Sequence, residues 1–281
     1  RIKAQTSDKF PDNRLHYPDT QDITFPVPVI FETLGVETLL LACLITLFGG
    51  LIKGMVGFAM PMVMISGLTT IMAPELALAA LILPTLLANS AQALRQGPKA
   101  ALQSVRRFGV FLAACILVLM LSAQLVRILP VNVMFLLIGG PVVAFTAMQL
   151  LGWKPHLSHP SRMIEGVVGA FAGFIAGLSG IWGPPTVAYL TAIDTPKRDQ
   201  MRIQGVIYGL GALALTVAHM KSGVLRMETA PLSALMILPA GIGMWIGLRL
   251  HDRIDQKVFR KATLLVLFIV GLNLIRRGLL G

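Results

Sequence analysis

Charged residues are scarce in this sequence. Asp, Glu, Lys and Arg make up 13% of the 281 residues, against roughly 25% in an ordinary soluble domain. Hydrophobic residues make up 55%, which is more apolar surface than a water-facing fold of this size can bury. The composition therefore excludes a soluble globular domain and predicts a chain that is embedded in a lipid bilayer.

Cysteines, carboxylates and interleaved aromatic residues are also in short supply. The two cysteines, Cys43 and Cys115, lie inside apolar runs, so neither a disulfide framework nor a cysteine metal site is expected. The apolar runs contain no paired carboxylates and no cluster with metal-ligand spacing, which disfavours an enzyme and predicts no cofactor or metal. The formal charge of +11 sits in short loops and not in a basic stripe with aromatics, so no nucleic-acid partner is expected.

The chain divides into three parts. Residues 1–35 form a polar, proline-containing tail, residues 36–152 a first membrane repeat and residues 153–281 a second one. A full helical span needs about 20 apolar residues. Some apolar runs approach that length, whereas others form pairs of short arms joined at a glycine-rich break. The long runs are 75–94, 108–126, 131–152, 203–219, 232–250 and, with its flanks, 262–276, and the short pairs are 37–49 with 58–72 and 163–177 with 184–193.

The two glycine-rich breaks repeat each other. Gly50, Gly54, Gly57 and Pro61 correspond to Gly173, Gly177, Gly180 and Pro184 at a constant offset of 123 residues. Further matches follow in order downstream at offsets of 122 to 126, among them Arg95-Gln-Gly97 with Lys221-Ser-Gly223. An ordered series of matches through both halves indicates an internal duplication.

Loop charge predicts how the two halves cross the membrane, because Lys and Arg collect in cytoplasmic loops. If each broken segment is a re-entrant hairpin, 14 basic loop residues share one face and 5 the other, whereas one crossing per segment divides them 10 to 9. We therefore predict an all-α integral membrane protein with two inverted repeats. Each repeat is a broken or re-entrant helical hairpin followed by three transmembrane helices, and the N-terminal tail is on the non-cytoplasmic side. The first arm, with its flanks, is almost long enough to cross fully.

The breaks are the candidate site. Irregular backbone survives inside a bilayer only where protein or a water-filled cavity surrounds it. The second arms begin near Phe58 and near Pro184, and a helix start with free N–H groups attracts anions. Two such starts facing each other from inverted repeats are typical of secondary transporters. The competing explanation for the glycines is close helix packing through small-xxx-small contacts.

Lys53 is the one basic residue far from a loop, and its repeat partner is Ala176. An intramembrane charge indicates function, so we expect Lys53 to pair with an anionic substrate; the alternative is that it extends to a membrane surface. Polar residues near the breaks complete the candidate site, although helix-to-helix hydrogen bonds or, for Trp182, gap filling would also explain them. The predicted substrate-binding residues are Lys53, Gly54, Gly57, Phe58, Pro61, Asn89, Gly177, Ser179, Gly180, Trp182, Pro184, Thr186, Gln204 and Tyr208.

Residues 37–281 resemble the sulfite exporter TauE/SafE family. The likeness is carried by the paired segments Lys53-Gly-Met-Val-Gly-Phe-Ala-Met-Pro61 and Ala176-Gly-Leu-Ser-Gly-Ile-Trp-Gly-Pro-Pro-Thr186. The resemblance implies a bacterial inner-membrane carrier, an exporter of small sulfur-containing or organic anions such as sulfite, sulfonates or thiosulfate. Many relatives have small residues where this chain has Phe58-Ala59-Met60 and Ile181-Trp182, and this bulkier mouth favours an organic anion over sulfite.

Several alternatives stay open at the level of sequence. A membrane-embedded enzyme that acts on a lipid phosphate, or an anion channel, is the alternative to a carrier that works by alternating access. A coupling proton carried on Lys53 or His219, a coupling sodium ion, or facilitated export without coupling all fit the residues. The sequence also leaves open a homodimer.

Overall fold

The computed structural model describes residues 27–94, 96–152, 157, 161–250 and 256–280, and every regular element among them is a helix. In a bilayer the backbone must satisfy its own hydrogen bonds, and an apolar chain does so by forming helices. The helices are α1 (Val27–Val56), α2 (Met60–Leu68), α3 (Pro74–Leu94), α4 (Pro98–Arg107), α5 (Gly109–Ser122), α6 (Val131–Leu150), α7 (Arg162–Ser179), α8 (Gly183–Ala192), α9 (Lys197–Ser222), α10 (Ala230–Leu235), α11 (Ile237–Leu250) and α12 (Gln256–Leu280).

Seven segments within the described residues are long and apolar enough to cross a membrane. Five of them fall on the runs that the sequence predicts as spans, and the remaining two are first arms of the broken segments. The seven are Leu34–Met55, Pro74–Leu94, Val131–Leu150, Arg162–Ser179, Arg202–Ser222, Ala230–Leu250 and Thr263–Leu280. The predicted all-helical membrane fold is thus confirmed.

The region before α5 differs from the prediction. Residues 95–107 were expected to be a loop, but Pro98–Arg107 forms the amphipathic helix α4. It meets the apolar segment Gly109–Leu125 at a bend of 82°. Since one face of α4 is polar and charged, this geometry suits a helix that lies along the membrane surface.

The first arms are longer than the sequence suggested. Runs 37–49 and 163–177 were expected to be too short to span, yet α1 and α7 continue as helices through Gly54 and Gly177. The prediction was wrong because those glycines pack against a neighbouring helix and do not interrupt their own. A Cβ at Gly54 would collide with the Met244 carbonyl oxygen of α11.

The same close packing of a glycine on a neighbouring helix occurs at Gly50 in the first half and at Gly173 in the second. A Cβ at Gly50 would collide with the Ala240 carbonyl oxygen of α11, and a Cβ at Gly173 with the Cys115 carbonyl oxygen of α5. The most extensive helix contacts are α1 with α11, α5 with α7, α6 with α12 and α3 with α9. Each of these eight helices therefore packs on its repeat counterpart or in an equivalent exchanged pair. This pattern is consistent with the predicted inverted repeat.

The second broken segment is a hairpin. The Leu157 N–H, before α7, donates a hydrogen bond to the Ala192 carbonyl oxygen at the end of α8 at 2.7 Å. In addition, Glu75 contacts both Arg127 (4.0 Å) and Arg226 (3.2 Å), so the loops before α6 and after α9 lie at the same end of the molecule. Both observations require α7 and α8 to return to the side where they began.

The predicted N-terminal tail is only partly covered. Residues 1–26 lie outside the described residues, so nothing in the structure bears on that part of the tail. The helix α1 already begins at Val27, inside the predicted tail, and Gly35 interrupts its helical geometry with φ 74°. The membrane-length part of α1 begins beside this interruption, at Leu34.

Candidate functional site

Each hairpin turns at its third glycine. Gly57, directly after α1, has φ 83°, and Gly180, directly after α7, has φ 70°. Glycine adopts these left-handed values without the steric cost that a Cβ would add. Pro61 and Pro184 then occupy the first turns of α2 and α8, where the missing N–H of proline costs no hydrogen bond. The irregular backbone is therefore limited to residues 57–59 and 180–182.

Ala59 in the first break also has a left-handed backbone, with φ 77°. For a residue with a Cβ this conformation costs roughly 1–2 kcal/mol. Such strain is retained where the surrounding structure imposes it, and it is frequent at ligand-binding positions. Ala59 caps the start of α2 and lies in the lining described next.

Both breaks contribute to one buried cavity. Its volume is about 20 Å³, which is room for roughly one water-sized group. Side chains of α1, α3 and α9 close it around the starts of α2 and α8. The lining residues are Lys53, Phe58, Ala59, Pro61, Met62, Asn89, Gly180, Ile181, Trp182, Gly183, Pro184 and Tyr208.

Lys53 supplies the charge in this cavity. Its side chain is only 2% exposed, so the alternative in which it extends to a membrane surface is wrong. The ammonium donates hydrogen bonds to Asn89 Oδ1 and to Gln92 Oε1, both at 2.6 Å, and lies 3.5 Å from the Gly57 carbonyl oxygen. No ion pair between described residues includes Lys53. Its hydrogen-bond partners within the described part of the chain are neutral oxygens, and no carboxylate there compensates its charge.

Two further donors in the cavity wall have no partner. Among the residues that the structure describes, neither Asn89 Nδ2 nor the Tyr208 hydroxyl has a hydrogen-bond partner, although both side chains are buried. A buried donor that is left unsatisfied costs about 1–3 kcal/mol. The Tyr208 hydroxyl lies near the start of α8, because a Cβ at Gly183 would be 3.6 Å from it. A cation, two unpartnered donors and two helix starts together make the cavity electropositive.

Lys53 also reaches a second, more open groove. This groove has a volume of about 270 Å³ and lies between α1, α3 and α11. Its lining residues are Lys53, Gly54, Gly57, Ala91, Gln92, Met244 and Leu248. Asn89 lines only the cavity and Gln92 only the groove. The Lys53 ammonium therefore lies between Asn89 Oδ1 on the cavity side and Gln92 Oε1 on the groove side.

Eight of the predicted site residues line the cavity. They are Lys53, Phe58, Pro61, Asn89, Gly180, Trp182, Pro184 and Tyr208. The hydroxyls of Ser179 and Thr186 instead donate to the backbone carbonyls of Ile175 and Trp182, each at 2.7 Å. Gly177 packs against Leu119 and Ser122 of α5. The six predicted residues outside the cavity lining are Gly54, Gly57, Gly177, Ser179, Thr186 and Gln204.

Sequence reasoning missed five residues around Lys53 and the cavity. Gln92, which bonds Lys53, was visible as a polar residue one helical turn after Asn89, and that spacing was the available signal. Ala59 and Ile181 belong to the bulky mouth noted in the sequence but were not predicted as binding residues, and nothing in the sequence marks Met62 and Gly183. The missed residues are Ala59, Met62, Ile181, Gly183 and Gln92.

Trp182 has the gap-filling position that the sequence left open, and it also lines the cavity. Its ring lies 6.1 Å from the Tyr208 ring, between centroids. A Cβ at Gly211 would also contact its indole at 3.7 Å, so Trp182 fills the gap between α8 and α9.

His219 is buried on α9 but outside the cavity lining. Within the described residues, no group of three or more His, Cys, Asp or Glu could hold a metal ion.

Comparison with known proteins gives one family. The family model described as Sulfite exporter TauE/SafE matches residues 42–274 of the chain, a range that contains both breaks. Neither the curated proteins nor the solved structures give a significant match.

Proposed function

The chain belongs to the sulfite exporter TauE/SafE family of membrane transporters, and from the cavity at its two breaks we propose that it is a secondary transporter that exports a small sulfur-containing anion. The observation that carries the proposal is the buried Lys53 ammonium, which faces a cavity with two unpartnered donors and no carboxylate. An anion in the cavity would pair with the charge and accept both hydrogen bonds.

Cavity size favours a small substrate. Phe58, Met62 and Trp182 surround a volume of about 20 Å³, which leaves little room for an organic chain. We propose sulfite, with its three oxygens, as the best match to the lysine and the two donors; even sulfite requires the cavity of about 20 Å³ to widen, and thiosulfate or a short sulfonate requires more widening. The bulky residues at the breaks thus favour the smaller anion, in contrast to what the sequence suggested.

We propose that the anion enters the cavity past Lys53. Because it lies between the open groove and the closed cavity, its ammonium can follow an anion from the Gln92 side to the Asn89 side. We propose alternating access in which the short helices α2 and α8 rock at Gly57 and Gly180. Movement at these two hinges would open the cavity first to one membrane face and then to the other.

The orientation in the membrane is likewise a proposal. The basic loops 95–107, 153–162, 194–202 and 249–261 would face the cytoplasm of a bacterial inner membrane, and the N-terminal tail would be external. The contact of Arg202 Nε with Ser104 Oγ at 3.3 Å supports a common face for two of these loops. A homodimer and the identity of a coupling ion, proton or sodium, stay predictions from the sequence.

Counterflow tests the proposed function. Proteoliposomes loaded with unlabelled sulfite are expected to accumulate external ³⁵S-sulfite transiently above its equilibrium level, because a carrier exchanges substrate across the membrane. Protein-free liposomes are the control. Uptake without stimulation by internal sulfite would indicate a channel, and a new labelled product would indicate an enzyme. Either result would contradict the proposal.

A further inference from the structure

A second electropositive cavity lies at one end of the molecule, between the start of α6 and the end of α12. Its volume is about 620 Å³. Gly278 makes this junction close, because a Cβ there would lie 2.8 Å from the Asn132 carbonyl oxygen of α6. The lining residues are Val131, Asn132, Phe135, Arg276, Arg277 and Leu280. None of them lines the cavity of the proposed transport site.

The two arginines of this cavity have no counter-charge among the described residues. Arg277 donates through Nη1 to the Thr69 carbonyl oxygen, and its guanidinium lies 4.2 Å over the centre of the Phe135 ring. These contacts fix its position but leave its charge unpaired. Arg276 is exposed, and no ion pair among the described residues includes either arginine. The cavity therefore has charge for an anion and a rigid side chain to orient it.

An apolar strip of α12 leads away from the arginines. Ile269 and Leu272 precede Arg276 by seven and four residues, so the three share one face of the helix. They are 65% and 45% exposed, which is the exposure of lipid-facing side chains in a membrane protein. A guanidinium at the end of an exposed apolar strip matches a ligand with an anionic head and a hydrocarbon tail.

We propose that this cavity binds an anionic phospholipid, with the lipid phosphate on Arg276 and Arg277 and an acyl chain along Ile269 and Leu272. Arginine pairs with phosphate through two parallel hydrogen bonds, and basic pockets between transmembrane helices suit anionic headgroups. The bound lipid would tie the end of α12 to the start of α6 and, through Thr69, to the end of α2. This site is independent of the transported substrate.

Lipid binding is testable on the purified full chain by native mass spectrometry. Dioleoylphosphatidylglycerol is added to the delipidated protein in detergent, with dioleoylphosphatidylcholine as the zwitterionic comparison. The wild type is expected to retain phosphatidylglycerol preferentially, and Arg276→Gln to retain at least fivefold less of it. The matched control is Arg249→Gln, since Arg249 is likewise exposed near the end of a transmembrane helix but lies outside this cavity.

A second measurement separates a lipid from a soluble anion. Thermal unfolding is followed with phosphatidylglycerol or with glycerol 3-phosphate, and only the lipid is expected to raise the melting temperature of the wild type. Equal retention of lipid by Arg276→Gln and wild type would overturn the proposal. So would equal stabilisation by glycerol 3-phosphate, because the acyl chain would then contribute nothing.

Discussion

Lys53→Met is expected to reduce sulfite counterflow by about 10- to 150-fold. Methionine keeps the length of the side chain in a site that is 2% exposed but removes the charge that faces the cavity. A charge-assisted hydrogen bond in a buried site contributes about 1.5–3 kcal/mol, and 3 kcal/mol corresponds to a ~150-fold lower affinity. The protein should still fold, since methionine removes a buried charge together with the cost of desolvating it.

Lys99→Met is the matched control for this result. Lys99 is exposed on α4, so its loss should leave counterflow within about twofold of the wild type. Transport by Lys53→Met at the wild-type rate, with Lys53→Glu also active, would remove Lys53 from the site. The same variant reports on coupling, because a proton carried by Lys53 predicts a pH dependence of flux that disappears in Lys53→Met.

Gly243→Val is expected to prevent stable assembly of the helices. A Cβ at Gly243 of α11 would collide with the Leu47 carbonyl oxygen of α1 and lie 2.9 Å from the Leu51 nitrogen. Backbone atoms cannot rotate away, so α1 and α11 must separate, at a cost of more than about 3 kcal/mol. The melting temperature in detergent, followed by gel filtration, should fall sharply or the protein should aggregate.

Gly241→Val provides the comparison two residues away. Nothing lies within 4 Å of a Cβ at Gly241, whereas valine has the same helix propensity at both positions. This variant should therefore unfold close to the wild-type temperature. Similar melting temperatures for Gly243→Val and Gly241→Val would contradict the close backbone contact between α1 and α11.

The sequence indicates where chain segments cross the membrane better than where they break. Long apolar runs such as Pro74–Leu94 are recognisable because a span has a fixed minimum length. A glycine has no such signature: Gly54 and Gly57 are three residues apart, but the first packs within α1 and the second turns the chain. The backbone of α11 packs against Gly54 and leaves Gly57 as the residue at which the chain turns. This is a tertiary contact, so the sequence alone does not reveal it.

For polar residues, too, the sequence shows which ones are candidates for the site but not which contacts they make. Lys53, Asn89 and Tyr208 stood out as polar groups in apolar spans, and all three line the cavity. Ser179 and Thr186 looked equally suitable, but each hydroxyl bonds the carbonyl four residues earlier. That local choice is common for Ser and Thr in helices, and spacing alone does not distinguish it from ligand binding.

Equilibrium binding of ³⁵S-sulfite to a protein with a filled cavity tests the central claim most directly. Gly183 lines the cavity, and the side chain of Gly183→Leu would occupy its volume of about 20 Å³; Gly140→Leu adds the same side chain where nothing lies within 4 Å of a Cβ. The wild type and Gly140→Leu should each bind one sulfite per chain, and the folded Gly183→Leu protein none. One sulfite bound per chain of folded Gly183→Leu would contradict a binding site at the two breaks.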